Sequence, residues 1–327
     1  MSTPTSTPSV TVVVVTWQGR YLLGPCLESL RRQSLAHRVL LVDNASTDGT
    51  AEFVAREHPE VEVLDTGANL GFAGGAEVGL ARVTTPYVAL LNNDATAEPT
   101  WLAALLSSAE AHPEAGAVTS RMVLAHAPGT LNNTGVVLLR TGYGTDRDYG
   151  APADARPAGD EVFGFSGGAA LLRTDAVRAV GGFPARYFLY YEDTDLSWRL
   201  RRAGWRVRYE PAAVVTHLHS ATVDQASERF AFHNERNRLL TLMRCAPGGT
   251  AACATAKFLL TTGSLAVRRL LGRTAPDVPT FRPAVRLRVL ASFLALLPWA
   301  LAERRRIARA STVPARTVYG EWAGRDA

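Results

Sequence analysis

Pro86-Tyr87-Val88-Ala89-Leu90-Leu91-Asn92-Asn93-Asp94 is a short apolar run that opens at a proline and closes in two amides and a carboxylate. A run of this length, bounded in this way, predicts a buried strand. In an open parallel sheet, ligands gather outside the carboxyl ends of the strands, so the Asn-Asn-Asp end falls where a site would lie. A carboxylate at that place is a hard oxygen donor suited to Mg²⁺ or Mn²⁺ beside substrate phosphates. The competing reading is a plain turn, since Asn and Asp favour turns.

The residues upstream supply the rest of such a sheet. Val10 to Thr16 is a β-branched, apolar first strand, and Tyr21 to Gln33 carries apolar residues at helical spacing. Val39 to Val42 is a second strand, closed by Asp43-Asn44-Ala45-Ser46-Thr47-Asp48-Gly49; Thr50 to Glu57 is a helix and Val61 to Asp65 a third strand. Alternating strands and helices predict a parallel α/β sheet with right-handed crossovers. Asp43, ending the second strand, could accept from ribose hydroxyls or from a base. Asn69-Leu70-Gly71-Phe72-Ala73-Gly74-Gly75 then leads into a helix. Its glycines would let backbone N–H groups approach a phosphate. No Gly-Lys-Ser/Thr follows, so it is not a Walker loop, and its place after the third strand excludes a dinucleotide fingerprint.

Downstream, Trp101 to Ala111 is an amphipathic helix and Ala117 to Leu124 a strand. Residues 127–159 show no pattern and yield no assigned residue. Val162 to Leu172 brings small residues into an apolar strand. In Tyr191-Glu192-Asp193-Thr194-Asp195-Leu196 the acids stand in the first turn of a helix that stops at Gly204. Such acids either cap the helix or present an ionised carboxylate to a substrate. Alternation along Val214 to Ser220 puts His217 and His219 on one face, where neutral imidazoles could share a cation. Arg236 is either a partner for a diphosphate or a solvated helix charge.

The chain has 327 residues, 47% of them hydrophobic, enough for one large or two modest domains. Its three cysteines, Cys26, Cys245 and Cys253, lack metal spacing and argue against a disulfide framework, which fits a reducing compartment. A net charge of +5 suits an anionic partner. The arginines crowd the C-terminal third around the apolar stretches Ala251 to Leu271 and Val285 to Ala302. Lys257, Arg286, Arg288 and Pro298 interrupt these, leaving runs too short to span a bilayer, so helices lying in the membrane interface are expected. Packing on the catalytic body, or a dimer contact, is the alternative. Arginines among apolar helices rather than exposed aromatics argue against a nucleic-acid partner.

Taken in order, the Val-rich strand ending at Thr16-Trp17, Asp43-Asn44-x-Ser46-x-Asp48-Gly49, the Asn69 to Gly75 segment and Leu91-Asn92-Asn93-Asp94 resemble family-two glycosyltransferases, most closely a rhamnosyltransferase-like branch. The likeness covers Val10 to about Arg244. It implies a GT-A fold, an α/β nucleotide-sugar-binding architecture with a mainly parallel central sheet, followed here by a C-terminal α-helical extension. It places Thr16, Asp43, Asn69, Gly71, Gly74, Gly75, Asn93 and Arg236 at a nucleotide-sugar donor, such as dTDP-rhamnose or a UDP-sugar. It gives Asp94 and His217 to a divalent cation, Mg²⁺ or Mn²⁺. The Glu192-Asp193-Thr194-Asp195-Leu196 stretch is similar to the family's Glu-Asp-x-Asp-Leu motif, making Asp193 the base of an inverting transfer, with Glu192 and Asp195 sharing or orienting that role. Many relatives carry two or three acids where this chain has Asn92-Asn93-Asp94, so ligation from this loop rests on Asp94. Glu77 replaces the usual Asn and inherits nothing.

The expected organisation is a disordered tail over 1–9, a transferase domain over 10–244 and a basic helical extension over 245–327. The expected acceptor is a saccharide or lipid-linked saccharide of the cell envelope, and the expected place is cytoplasmic, peripheral on the inner face of the cell membrane. A sugar-phosphate nucleotidylyltransferase is the alternative enzyme, though Thr16-Trp17-Gln18-Gly19-Arg20 supplies its loop poorly. A non-catalytic scaffold is the alternative outside enzymes.

Overall fold

The valines of the first strand serve two cores. Val10, Val12 and Val14 pack on one face of the sheet with Leu23, Leu27, Trp101 and Leu105. Val13 and Val15 pack on the other with Leu80, Val177, Leu196 and Leu200. Side chains alternate along a strand, so an unbroken apolar run marks a strand covered on both sides. These relations come from a computed structural model, which describes residues 8–155, 159–218, 226–272 and 278–325. Most of the expected tail, His219 and Arg273 fall outside the described residues.

The N-terminal half alternates as expected: β1 (Val10–Thr16), α1 (Arg20–Arg31), β2 (Arg38–Asp43), α2 (Thr50–Glu57), β3 (Glu62–Asp65), α3 (Gly71–Arg82) and β4 (Tyr87–Leu91). Next come β5 (Ala95–Ala97), α4 (Trp101–Ala111), β6 (Ala115–Leu124), β7 (Leu131–Asn133), β8 (Val136–Leu138) and β9 (Gly144–Asp146). β10 (Ala169–Arg173), α5 (Thr174–Ala179), α6 (Glu192–Arg202) and β11 (Arg206–His217) complete the sheet region. The order across the main sheet is β3-β2-β1-β4-β10-β6-β11-β5, with β7 on β6. Pairing is parallel from β3 to β4, while β10 runs antiparallel to both of its neighbours. The sheet is therefore mixed beyond β4.

Two differences from the sequence reading have local causes. Residues 127–159 are not a bare excursion; they hold β7 and the β8–β9 hairpin, whose strands are too short to show a period. Trp205 to Tyr209 reads in sequence as a strand of its own, ended before Pro211; it instead continues with Val214 to His217 as one strand, β11, because a register shift between Glu210 and Val214 absorbs the proline.

The C-terminal region is helical: α7 (Glu228–Cys245), α8 (Gly248–Leu270), α9 (Pro283–Ala310) and α10 (Ala315–Trp322). It packs back onto the body. Val289, Phe293 and Ala300 of α9 pack with Leu239 and Leu240 of α7. The Gly324 N–H donates to the Leu138 carbonyl (2.7 Å), and the Arg201 guanidinium lies 4.0 Å over the Trp322 ring. α8 and α9 are 23 and 28 residues long, enough by length and composition to cross a membrane. This corrects the shorter expected runs: Lys257 and Pro298 lie inside continuous helices instead of ending them.

Candidate active site

In-register pairing sets Thr16 beside Asp43 at the carboxyl ends of β1 and β2, while Asn92, Asn93 and Asp94 leave the end of β4. A cleft of about 290 Å³ opens there. It brings together Thr16, Asn69, Gly71, Asn93, Asp94, Glu192, Asp193 and His217 of the expected residues. An adjoining cavity of about 500 Å³ shares Glu192, Asp193 and His217 and adds Tyr143, Asp146 and Asn234.

Asp94 and His217 meet although 123 positions separate them: Oδ1 lies 3.0 Å from Nε2. The pairing of β11 with β5, His217 opposite Ala95, delivers the histidine to the end of β4. His217 Nδ1 is 2.6 Å from the Asn132 Oδ1, an acceptor, so the Nδ1 proton belongs there and Nε2 presents its lone pair. The Asn92 amide reaches the same Nε2 (3.3 Å), with the Asp94 carboxylate oxygen beside it. An oxygen–nitrogen donor set with an oriented imidazole fits a divalent ion. Among the described residues no group of three or more His, Cys, Asp or Glu gathers as a metal site. The protein would thus supply two ligands, leaving further positions for phosphate oxygens.

Asp193 stands at the start of α6. The Gly167 N–H donates to its Oδ2 (3.1 Å) and the Thr194 N–H to its Oδ1 (2.6 Å). Burial raises its carboxyl above the ordinary range, and the two backbone donors oppose that rise. Glu192 is buried more completely, and its Oε2 has no hydrogen-bond partner. Burial, with the Asp193 charge next, drives its carboxyl well above the usual range. Burial thus raises both neighbouring carboxyls, that of Glu192 the further, so of the two Asp193 is the more readily ionised.

Five expected residues fall elsewhere. Asp195 is fully buried, with its carboxylate between Arg199 Nε (2.7 Å) and Arg244 Nη1 (2.5 Å), and it does not reach the cleft. Arg236 turns inward to donate to the Tyr187 carbonyl (2.6 Å). Its neighbour Asn237 donates to the carbonyls of Tyr187, Leu189 and Tyr190. Together they grip the segment leading to Glu192, where Phe188, Tyr190 and Tyr191 hold left-handed backbone angles. Gly74 and Gly75 lie within α3, not in a loop; a Cβ on Gly75 would stand 2.6 Å from the Val15 side chain, so the glycine admits α3 close to the sheet. Asp43 lies behind the lining, accepting from the Ser46 N–H (3.0 Å).

The sequence reading missed Asp146 and Arg229. Asp146 ends β9 within the stretch that showed no pattern; burial, then the Asp193 charge, pushes its carboxyl up to about 6. Arg229 lies in the first turn of α7 and lines the donor-side cleft, the place anticipated for Arg236 two turns further on. An Arg-specific pattern could not choose between them.

Gly71 is required by its conformation. Its φ is +69°, and a Cβ there would overlap the Phe188 carbonyl. Gly71→Ala is expected to cost more than about 1 kcal/mol and to displace the 188–191 segment. A lowered thermal midpoint with weakened donor binding would show it; wild-type values for both would refute it.

Comparison with known proteins agrees with this geometry. The family model described as Glycosyl transferase family 2 matches residues 11–181. An N-acetylglucosaminyl-diphospho-decaprenol L-rhamnosyltransferase of Mycobacterium tuberculosis is 34% identical, over 68% of this chain and 80% of its own length. A pre-mycofactocin glycosyltransferase of the same organism is 32% identical, over 70% of this chain but only 47% of its own. Among solved structures, the Pyrobaculum calidifontis mannosyltransferase PcManGT, in complex with GDP-Man and Mn²⁺, aligns with a TM-score of 0.52 at 20% identity, covering 97% of this chain and 80% of its own. The Staphylococcus aureus protein TarS (1–349) with UDP aligns with a TM-score of 0.52 at 18% identity, covering 96% and 90%. At these identities the solved structures speak for a GT-A-like fold.

Proposed function

The chain belongs to glycosyl transferase family 2, and we propose that it is an inverting enzyme that moves a sugar from a nucleotide-linked donor onto a hydroxyl of a lipid-linked saccharide. The meeting of Asp94, His217 and Asp193 around one cleft at the carboxyl ends of the strands carries this reading. The donor is dTDP-rhamnose or a UDP-sugar. The rhamnosyltransferase named above supports the first, and its name supports a lipid diphosphate acceptor.

Each step falls to a residue in place. The acceptor hydroxyl lies against Asp193 on the side of the larger cavity, and its oxygen attacks the anomeric carbon. Its proton passes to the Asp193 carboxylate as the bond to the diphosphate breaks, and attack from the opposite face inverts the configuration. Asp94 and His217 would hold a divalent cation, Mg²⁺ or Mn²⁺, which offsets the charge gathering on the departing diphosphate. Arg229 adds a fixed positive charge on the same wall. The raised carboxyl of Glu192 disfavours a second negative charge beside Asp193. The presence of both Asp94 and Asp193 in the cleft weighs against a non-catalytic scaffold.

The outer faces of α8 and α9 fit a membrane surface. Leu260 and Leu270 of α8 are 74% and 86% exposed, and Leu287 and Leu294 of α9 are 58% and 54% exposed. Arg268, Arg269, Arg288 and Arg305 flank them. The inner face of α9 is occupied by α7, which favours a helix lying at the interface over one crossing it. The protein would then act at the inner face of the cell membrane, from the cytoplasm.

Calorimetry with dTDP-rhamnose, UDP-glucose, UDP-galactose and GDP-mannose, with and without Mn²⁺, tests the donor site. We expect one donor to bind in the presence of Mn²⁺ and its affinity to fall by about 10–100-fold or more in Asp94→Asn. Absence of binding by every donor, with and without the ion, would sink the assignment.

A further inference from the structure

A second cavity of about 570 Å³ lies away from the donor cleft, among α7, α8 and the start of α9. Arg140, Arg238, Lys257 and Arg286 line it, against a single carboxylate, Glu235. Glu235 is already engaged, taking the Arg238 Nη2 at 2.9 Å and the Tyr143 hydroxyl. Arg286 is buried, yet its guanidinium bonds only to neutral oxygens: Thr262 Oγ1 (2.9 Å) and the carbonyls of Thr280 (3.1 Å) and Phe258 (2.9 Å). The Nε of Arg238, a side chain only 6% exposed, has no hydrogen-bond partner. Among the described residues, no carboxylate pairs with Arg140, Lys257 or Arg286. Of these three Arg286 is buried, and a buried cation without a direct counter-charge is costly unless an anion joins it; Arg140 and Lys257 stand exposed at the rim.

Two neighbours say which anion fits. Tyr143 lines both this cavity and the one holding Asp193, so a molecule seated here can continue to the base. On the other side, Phe258 forms part of the wall, and the helix that carries it turns Leu259, Leu260 and Leu270 outward. Cations in the middle, a base at one end and apolar surface at the other match an amphiphile with a phosphate between its sugar and its hydrocarbon chain.

We propose that this cavity holds the phosphate or diphosphate group of the lipid-linked acceptor. Arginine forks grip phosphate oxygens in pairs, and Lys257 adds a point charge at the rim. This inference rests on the glycosyltransferase reading and adds to it a place for the acceptor's head group.

Cys253 reports on the site directly. It lines the cavity and is exposed, whereas Cys26 and Cys245 are buried. The rate of Cys253 alkylation by a maleimide is to be measured with geranylgeranyl diphosphate, geranylgeraniol and inorganic diphosphate at matched concentrations. We expect the prenyl diphosphate to slow alkylation severalfold more than either fragment, and Lys257→Glu, an exposed substitution, to abolish that protection. Equal protection by the alcohol would mean an apolar groove, and equal protection by inorganic diphosphate an anion site with no lipid; either would overturn the proposal, as would no protection by any probe. Donor calorimetry on the same protein reports on the Asp94 cleft separately, so failure there is distinguishable from failure here.

Discussion

Asp193→Asn is expected to lower kcat/KM by about two to four orders of magnitude, the usual contribution of a general base, while the donor binds as in the wild type. Asparagine keeps the shape; its oxygen accepts from one of the Gly167 and Thr194 N–H groups while its NH2 faces the other, a local cost set against the charge removed. What it loses is the capacity to take a proton. Glu192 is a poor replacement, because burial disfavours its ionised form. Since burial also raises the Asp193 carboxyl, the wild-type rate should climb with pH through the upper carboxylate range, and the residual rate of the variant should not. The stability sign runs the other way. A carboxyl raised in the folded state opposes folding once ionised, so stability falls as pH rises from the unfolded value through the folded one. Removing the charge should leave the thermal midpoint at pH 7 unchanged or higher. An inactive protein that is no less stable is the signature of a catalytic group. A rate within tenfold of wild type, or loss of donor binding in step with the rate, would refute the role.

The contrast with the rest of the site shows where sequence reasoning had purchase. β1 and β4 were legible because strands covered on both faces leave unbroken apolar runs, and Asn93-Asp94 because they stand at the carboxyl end of such a strand, although a turn would use the same residues. The α/β alternation followed from the same periods. Gly74 and Gly75 misled because a glycine allows close approach by a phosphate or by a helix, and only the packing on Val15 decides which. Asp94 with His217 could be suspected singly, but their meeting depends on the place of β11 in the sheet. Asp146 left no signal: three-residue strands carry no period, and its environment is made by α6 and β11. For Asp195 the clue was present. Residues two apart on a helix lie about 200° apart around the axis, so Asp193 and Asp195 cannot both face one cleft.

Asp195→Asn should therefore do the reverse of Asp193→Asn and cost about 3–5 kcal/mol of stability, the usual effect of breaking a buried ion pair from one side. The carboxylate joins Arg199 of its own helix to Arg244 of α7 and accepts the Tyr187 hydroxyl at 3.1 Å. Arg244 continues to Glu303 of α9 (3.3 Å), so one acid links α6 through α7 to α9. Without it two guanidiniums remain buried, Arg244 with Glu303 as its remaining carboxylate and Arg199 with only the more distant charge of Glu77. Although desolvation by burial raises the Asp195 carboxyl, Arg244 and then Arg199 outweigh it and hold it below its ordinary range. Its contribution is thus present above the unfolded value of about 3.9 and lost as pH falls through the folded one. The gap between wild type and variant should be widest near neutral pH and close in acid. Thermal unfolding at pH 7 and at acid pH measures this, and a midpoint unchanged at pH 7 would overturn it. At temperatures where the variant stays folded it should still bind the donor, because its side chain never reaches the cleft. Two acids separated by one residue would then fail in opposite ways: one keeps the fold and loses the reaction, the other keeps the site and loses the fold.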